Sequence, residues 1–279
     1  MIKNILNTIL LFMVFMASCE EGENSNSNSI DTTQELPITR FKTGNANITT
    51  QPQGGVCMMG GRTENDNAMR WFLQRAQGGD ILVMRASGSD GYNDYFYTEL
   101  GVNINSVETL VFQDETEDQR VIDLIDTAEA IWFAGGNQEK YVDYWSDNTI
   151  EVALQRAIDR GVVIGGTSAG MAILGEYVWT GEEIITDFLS VPSLQNVITD
   201  THFSERNRMG RFQGFIEQTG ANGIAADEYT AICVDTEGIA RVYGETEEDD
   251  FAFFVTPSLE TNQIKGLPNG ENTFDLNDW

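Results

Sequence analysis

The run Gly165-Gly166-Thr167-Ser168-Ala169-Gly170 sets a serine between glycines in the pattern G-x-S-x-G. It follows the β-type run Val162-Val163-Ile164 and opens the apolar stretch Met171-Ala172-Ile173-Leu174, so the serine falls on a strand-to-helix turn. Such a nucleophile elbow lifts the hydroxyl above the sheet end and puts a helix N-terminus beneath it. A serine hydroxyl attacks only when a base takes its proton, and the base needs an orienting acid. The chain holds one histidine, His202, so an imidazole base must be that residue. Shortly after it come Arg206, Arg208 and Arg211, the one dense cationic cluster of the sequence. Guanidinium groups there suit a clamp on substrate carboxylates, or else ion pairs with the many acids of the chain itself.

These residues need elements to hold them. Val56-Cys57-Met58-Met59, Ile81 to Met84, Val107 to Phe112, Ala130 to Phe133 and Val162 to Ile164 have the short apolar form of buried strands. Between them lie amphipathic stretches, the clearest over Thr149 to Arg160. Ile150, Ala153, Leu154, Ala157 and Ile158 share one face there, with Asn148 as the cap, Glu151 reaching back and Gly161 as the stop. Strands alternating with helices predict a mainly parallel sheet covered on both faces. Thr230 to Val234 and Ala240 to Tyr243 predict a hairpin, Phe251 to Val255 a further strand, and the acidic C-terminal stretch surface.

The composition narrows the function. Of 279 residues 41% are hydrophobic, enough for a sizeable core. A formal net charge of −28 repels phosphate backbones and excludes a nucleic-acid partner, while favouring cationic or zwitterionic ones. Cys19, Cys57 and Cys233 are too far apart, with a single histidine, to form a structural zinc site, so no metal or other cofactor is expected. Cys57 and Cys233 fall in strand patterns and are expected as buried thiols, with a disulfide between them left open by the sequence.

Residues 1–18 have the form of an export signal: Lys3, the apolar run Ile9 to Met16, then Ala17 and Ser18. The run is shorter than the roughly 20 residues of a membrane-spanning helix. Small residues leading into Cys19 resemble the lipobox of bacterial lipoproteins, which implies lipidation of Cys19 and anchoring to a membrane. Residues 19–53, rich in Glu, Asn, Ser, Thr and Gln, are expected as a polar tether, with the catalytic domain over 54–279.

Taken jointly, the motifs resemble cyanophycinase, a serine peptidase of the family that also contains aspartyl dipeptidase (peptidase E). The resemblance rests on Gly166 to Gly170, on Asp200-Thr201-His202-Phe203-Ser204-Glu205-Arg206-Asn207-Arg208, on Phe133-Ala134-Gly135-Gly136-Asn137-Gln138 and on Gly223 to Ala231. It implies a flavodoxin-like three-layer α/β sandwich related to class I glutamine amidotransferases. It also implies Ser168 as nucleophile, His202 as base, and the backbone amides of Gly136 and Ala169 as the oxyanion hole. The family's acid, fifteen to eighteen residues after the serine, points to Glu183, with Glu182 as alternative. Substrate contacts would come from Gln138, Asp200, Thr201, Arg206, Arg208 and Arg211. Where the family has Asp-Gln-His-Phe this chain has Thr201 in place of the glutamine, which leaves fine specificity open. The expected activity is release of β-aspartyl-arginine dipeptides from cyanophycin. The alternatives are an exported peptidase for other aspartyl peptides and a peptide-binding lipoprotein without catalysis. A second copy of the chain is kept as a candidate partner, since the sequence does not set the oligomeric state.

Overall fold

The computed structural model describes residues 37–245 and 250–279. The export segment, Cys19 and the first part of the expected tether lie outside the described residues. The expected domain start at residue 54 needs correction. Ile38–Gly44 form strand β1, paired antiparallel with β4 (Ser106–Phe112) from Ile38 opposite Phe112 to Gly44 opposite Ser106. The pairing also caps a charge, because Glu108, buried on β4, accepts from Arg40 Nε at 2.8 Å. The following residues stay attached: Ile48 N donates to Asp80 at 2.9 Å and Thr50 N to Glu129 at 3.1 Å. A polar composition hid this segment, since an edge strand needs few apolar residues.

The chain then alternates as expected: β2 (Val56–Met59), α1 (Asp66–Arg75), β3 (Asp80–Arg85), a short turn α2 (Gly91–Asp94) running into one π-helical turn, β4, α3 (Gln119–Thr127) and β5 (Ala130–Phe133). Next come α4 (Gln138–Trp145), α5 (Thr149–Asp159), β6 (Val163–Thr167) and α6 (Ala169–Ala172). Asn148 caps α5 through Ile150 N at 2.8 Å, and Glu151 reaches back to Asp147 N at 2.6 Å, one residue earlier than a capping box requires. Strands β4, β3, β5, β6 and β2 lie parallel and adjacent in that order. Among the described residues the sheet reaches nine strands through β1 at one edge and β11 (Ala231–Val234), β12 (Ile239–Tyr243) and β15 (Asn272–Asp275) at the other.

Helices cover both faces, which makes the three layers. Along β5 the side chains alternate between them: Ile131 and Phe133 pack with α3, α4 and α5 residues such as Ile125, Trp145 and Leu154. Ala130 and Trp132 pack on the other side with Phe72, Leu73 and Phe96. Cys57 and Cys233 are free, fully buried and opposite one another on β2 and β11, their sulfurs 3.1 Å apart. Burial pushes the Cys233 thiol well above its ordinary range.

A short ribbon, β7 (Val178–Trp179) with β8 (Ile184–Ile185), leads to a second sheet. There β9 (Val197–Asp200) and β10 (Asn222–Ala226) run parallel, joined by α7 (Met209–Thr219), and β13 (Phe251–Val255) and β14 (Thr261–Lys265) extend the sheet antiparallel beyond β10. The C-terminal stretch keeps the exposure expected of a surface segment, but it is built into the fold as strands. β14 and β15 close the two sheets, and Phe274 stacks on Phe254 with ring centroids 4.3 Å apart. The pattern was illegible because β14 is mostly exposed and so lacks apolar alternation.

Candidate active site

Ser168 follows the last residue of β6 and precedes the first of α6. Its backbone takes φ 51° and ψ −112°, which hard-sphere contacts disfavour for any residue with a Cβ. The glycines on either side allow the turn by close approach. A Cβ on Gly166 would meet the Gly170 carbonyl group at 2.5 Å, and one on Gly170 would meet the Phe133 oxygen at 2.0 Å. The serine is thus held between β5 and β6 by backbone that admits no side chain.

The base arrives from the second sheet. His202 lies two residues beyond β9 and Glu228 two beyond β10, and these strands are parallel neighbours with Asp200 opposite Ala225. Equal overhangs from adjacent strand ends bring the two side chains together. His202 Nε2 is 2.8 Å from Ser168 Oγ, and His202 Nδ1 is 2.6 Å from Glu228 Oε1. Glu228 Oε2 accepts from Arg62 Nε at 2.6 Å. With Nδ1–H donated to the carboxylate, Nε2 carries the lone pair that accepts the serine proton. Burial lowers the His202 pKa; Glu228 opposes this, and the charges of Arg206 and Arg208 add to the lowering. Burial works to raise Glu228, but hydrogen bonds from Arg62 and His202 hold it below its ordinary range.

The expected acid is corrected here. Glu183 and Glu182 are exposed on the turn between β7 and β8, where their backbone N–H groups both donate to Thr180 Oγ1 at 3.2 Å. His202 Nδ1 is taken by Glu228 instead. The sequence carried a signal for it: Asp227-Glu228 sits just after an apolar strand, inside the segment Gly223 to Ala231 that already supported the resemblance. A spacing counted from the serine could not find it, because the acid comes from the other sheet.

The remaining expected residues converge on one pocket of about 110 Å³, lined by Gly136, Gln138, Ser168, Ala169, Asp200, Thr201, Arg206, Arg208 and Arg211, with Trp179 and Thr199. They do not play equal parts. Buried Asp200 receives Arg208 Nη1 at 2.9 Å and Arg211 at 2.5 and 2.8 Å, so two of the three guanidinium groups are already paired. Thr201 Oγ1 lies 3.3 Å from Arg208 Nη1, turning its hydroxyl to that same network. The Arg206 side chain has no hydrogen-bond or ion-pair partner among the described residues. A pocket beside a serine–imidazole pair, with one guanidinium unpaired, can hold a carboxylate next to a carbonyl under attack.

A nucleophile elbow at the C-terminal ends of a parallel sheet, with an imidazole and carboxylate in line, defines a serine-type hydrolase of the α/β class. The model of Peptidase family S51 matches residues 58–242, and the chain belongs to that family: it is a serine-type peptidase. Curated relatives include the cyanophycinase of Synechococcus elongatus, 25% identical over 243 residues that span 75% of this chain and 74% of the relative. The cyanophycinase of Trichormus variabilis is 25% identical over 162 residues, 53% of each chain. Among solved structures, a peptidase from an acI-B1 Actinobacterium shares the fold at TM-score 0.61 and 14% identity, covering 81% of this chain and 98% of its own.

Proposed function

We propose that this peptidase hydrolyses aspartyl-rich peptides through an acyl-enzyme on Ser168, with cyanophycin as substrate and β-aspartyl-arginine dipeptides as product. The observation that carries this reading is Arg206, a guanidinium without an acid partner in the same pocket as the serine. Relatives at 25% identity that are cyanophycinases give it further support.

In the proposed mechanism Arg206 holds a free substrate carboxylate, in cyanophycin that of the C-terminal aspartyl unit or of the arginine it carries, and so fixes the scissile carbonyl over Ser168. His202 Nε2 takes the hydroxyl proton as Oγ bonds to the carbonyl carbon, and Glu228 stabilises the imidazolium that forms. The backbone N–H groups of Gly136 and Ala169 stabilise the oxyanion, one following the nucleophile and the other just beyond a neighbouring strand end. The imidazolium then protonates the leaving amine, and water, activated by the same base, hydrolyses the ester. Gln138 completes the pocket wall, while Asp200 keeps Arg208 and Arg211 in place.

The test is hydrolysis of cyanophycin granules by the purified chain, against a panel of aspartyl dipeptides, with Ser168→Ala as control. Release of β-aspartyl-arginine by the parent alone supports the assignment. Cleavage of acidic dipeptides with granules untouched moves it to the second reading, an aspartyl peptidase of other specificity, which Thr201 in the place of a glutamine favours. We propose also that the chain is exported and lipidated on Cys19, on the strength of its leader. Mass spectrometry of the membrane fraction should find an acylated peptide beginning at Cys19; an unmodified Cys19 contradicts this.

A further inference from the structure

The turn that follows β2 touches both members of the histidine–glutamate pair and the residues just after the glutamate. Gly60 O accepts from His202 N at 2.9 Å, Gly60 N donates to Thr230 O at 2.9 Å, and Gly61 O accepts from Tyr229 N at 3.1 Å. Gly61, at φ 131°, lies against the imidazole so closely that a Cβ there would come within 2.3 Å of Cε1. The next residue is Arg62. Its backbone is left-handed at φ 68°, an angle uncommon for a residue with a long side chain. That conformation accompanies an Nε placed 2.6 Å from Glu228 Oε2, the oxygen that His202 does not use.

We infer that Arg62 is a positioning residue of the active site: it fixes Glu228 by its outer oxygen, so that the inner one stays on His202 Nδ1. The inference rests on the peptidase reading for its catalytic meaning, though not for its test. A surface ion pair between exposed groups does little, but here the carboxylate side chain is only 10% exposed while the guanidinium is 63% exposed. The cation therefore reaches in from solvent to a buried acid whose other oxygen is engaged. The carboxylate then has both oxygens held and no freedom to rotate off the imidazole. The positive charge also tempers Glu228. An untempered carboxylate would favour imidazolium more strongly and leave less neutral base near pH 7. Other charged and titratable groups face this pair: Arg206 and Arg208 from the segment after His202, Glu205, which accepts from Glu228 N at 3.1 Å, and the Tyr229 phenol beside Arg62.

The single histidine makes the test direct, since the imidazole Cε1–H of a chain without a polyhistidine tag gives one titrating NMR resonance. In Arg62→Met the titration midpoint should rise by on the order of half to one pH unit, the shift expected from removing one charge a few ångströms away across a partly solvated site. The acidic limb of kcat/KM should rise with it. The plateau kcat should fall about tenfold, from lost orientation, with KM within twofold of the parent. Arg62→Lys should return the midpoint most of the way, while recovering kcat only in part because an ammonium cannot reproduce the Nε geometry. An unchanged or lowered midpoint in a folded Arg62→Met protein overturns the inference. Because the titration needs no turnover, it stands apart from the peptidase reading. Failure of the parent Ser168 to react with a fluorophosphonate would speak against that reading alone.

Discussion

At Arg62, Ser168, His202 and Tyr229 the backbone is left-handed, with φ of 68°, 51°, 45° and 60°, and all four lie at or beside the serine–imidazole–carboxylate line. Strain of this kind persists only where surrounding contacts over-determine it. Glu228 belongs to that line, whereas Glu183 lies on the exposed turn between β7 and β8. Glu228→Gln should therefore lower kcat by about a hundredfold to ten-thousandfold, since the amide cannot stabilise an imidazolium, whereas Glu183→Gln should stay within twofold of the parent. Steady-state kinetics of the two variants decide between the acids. Because burial lowers the His202 pKa, the neutral base survives to lower pH, so the acidic limb of kcat/KM should have its midpoint below the ordinary 6.5. Glu228 opposes that lowering, and its removal should move the limb further down. A limb above 6.5 in the parent would contradict this account of the imidazole. The arginines divide in the same way. Arg206→Ala should cost about ten- to a hundredfold in kcat/KM on aspartyl substrates and leave Tm unchanged. Arg208→Ala should also destabilise the fold, by about 1–3 kcal/mol, because it withdraws a partner from buried Asp200. Equal thermal melts for the two variants would remove the distinction.

At the scale of elements, legibility followed burial. Strands with both faces covered, such as β2 and β5, were plain as apolar runs. The elbow was plain because the backbone contacts of Gly166 and Gly170 exclude every other residue type. The edges were not plain, and neither was the pairing between sheets. Nothing in the order of Ser168, Glu183, His202 and Glu228 tells that β9 and β10 run side by side, which is what makes Glu228 the partner of His202. β1 is the element with the clearest consequence. A chain begun at Gly54, where composition alone puts the domain start, would strip β4 of its edge partner and leave buried Glu108 without Arg40 and Lys42. Removing the partners of a buried carboxylate costs about 3–5 kcal/mol, to which the lost ladder adds. In a domain of this size each kcal/mol is worth about 2–4 °C, so the melting temperature should fall by about 10 °C or more relative to a chain begun at Leu36. Calorimetry of the two chains tests it, and equal melting temperatures would return residues 36–53 to the tether.

Over the whole molecule, 44 acidic residues stand against 16 basic ones, and the pocket holds its positive charge locally inside that field. The long-range potential and the local site therefore act in opposite senses on an acidic substrate. Approach is opposed over separations beyond the Debye length, about 10 Å at 0.1 M and about 3 Å at 1 M, where salt screens strongly. On the proposed reading, binding to Arg206 is favoured at contact distance, where screening is weaker. Adding salt should then relieve the repulsion more than it weakens the contact. For a dipeptide of two acidic residues kcat/KM should rise about two- to tenfold between 0.05 and 0.5 M salt, on the usual scale of electrostatic effects on association. Cyanophycin pairs each carboxylate with a guanidinium, so the polymer is close to neutral and the same change of salt should leave its rate within about twofold. A fall in kcat/KM for the acidic dipeptide would mean that the local contact dominates approach and that the surface charge has no part in selection. A steep fall for cyanophycin would instead show that its guanidinium groups are drawn in by the acidic surface, making the surface charge part of how the polymer is recognised.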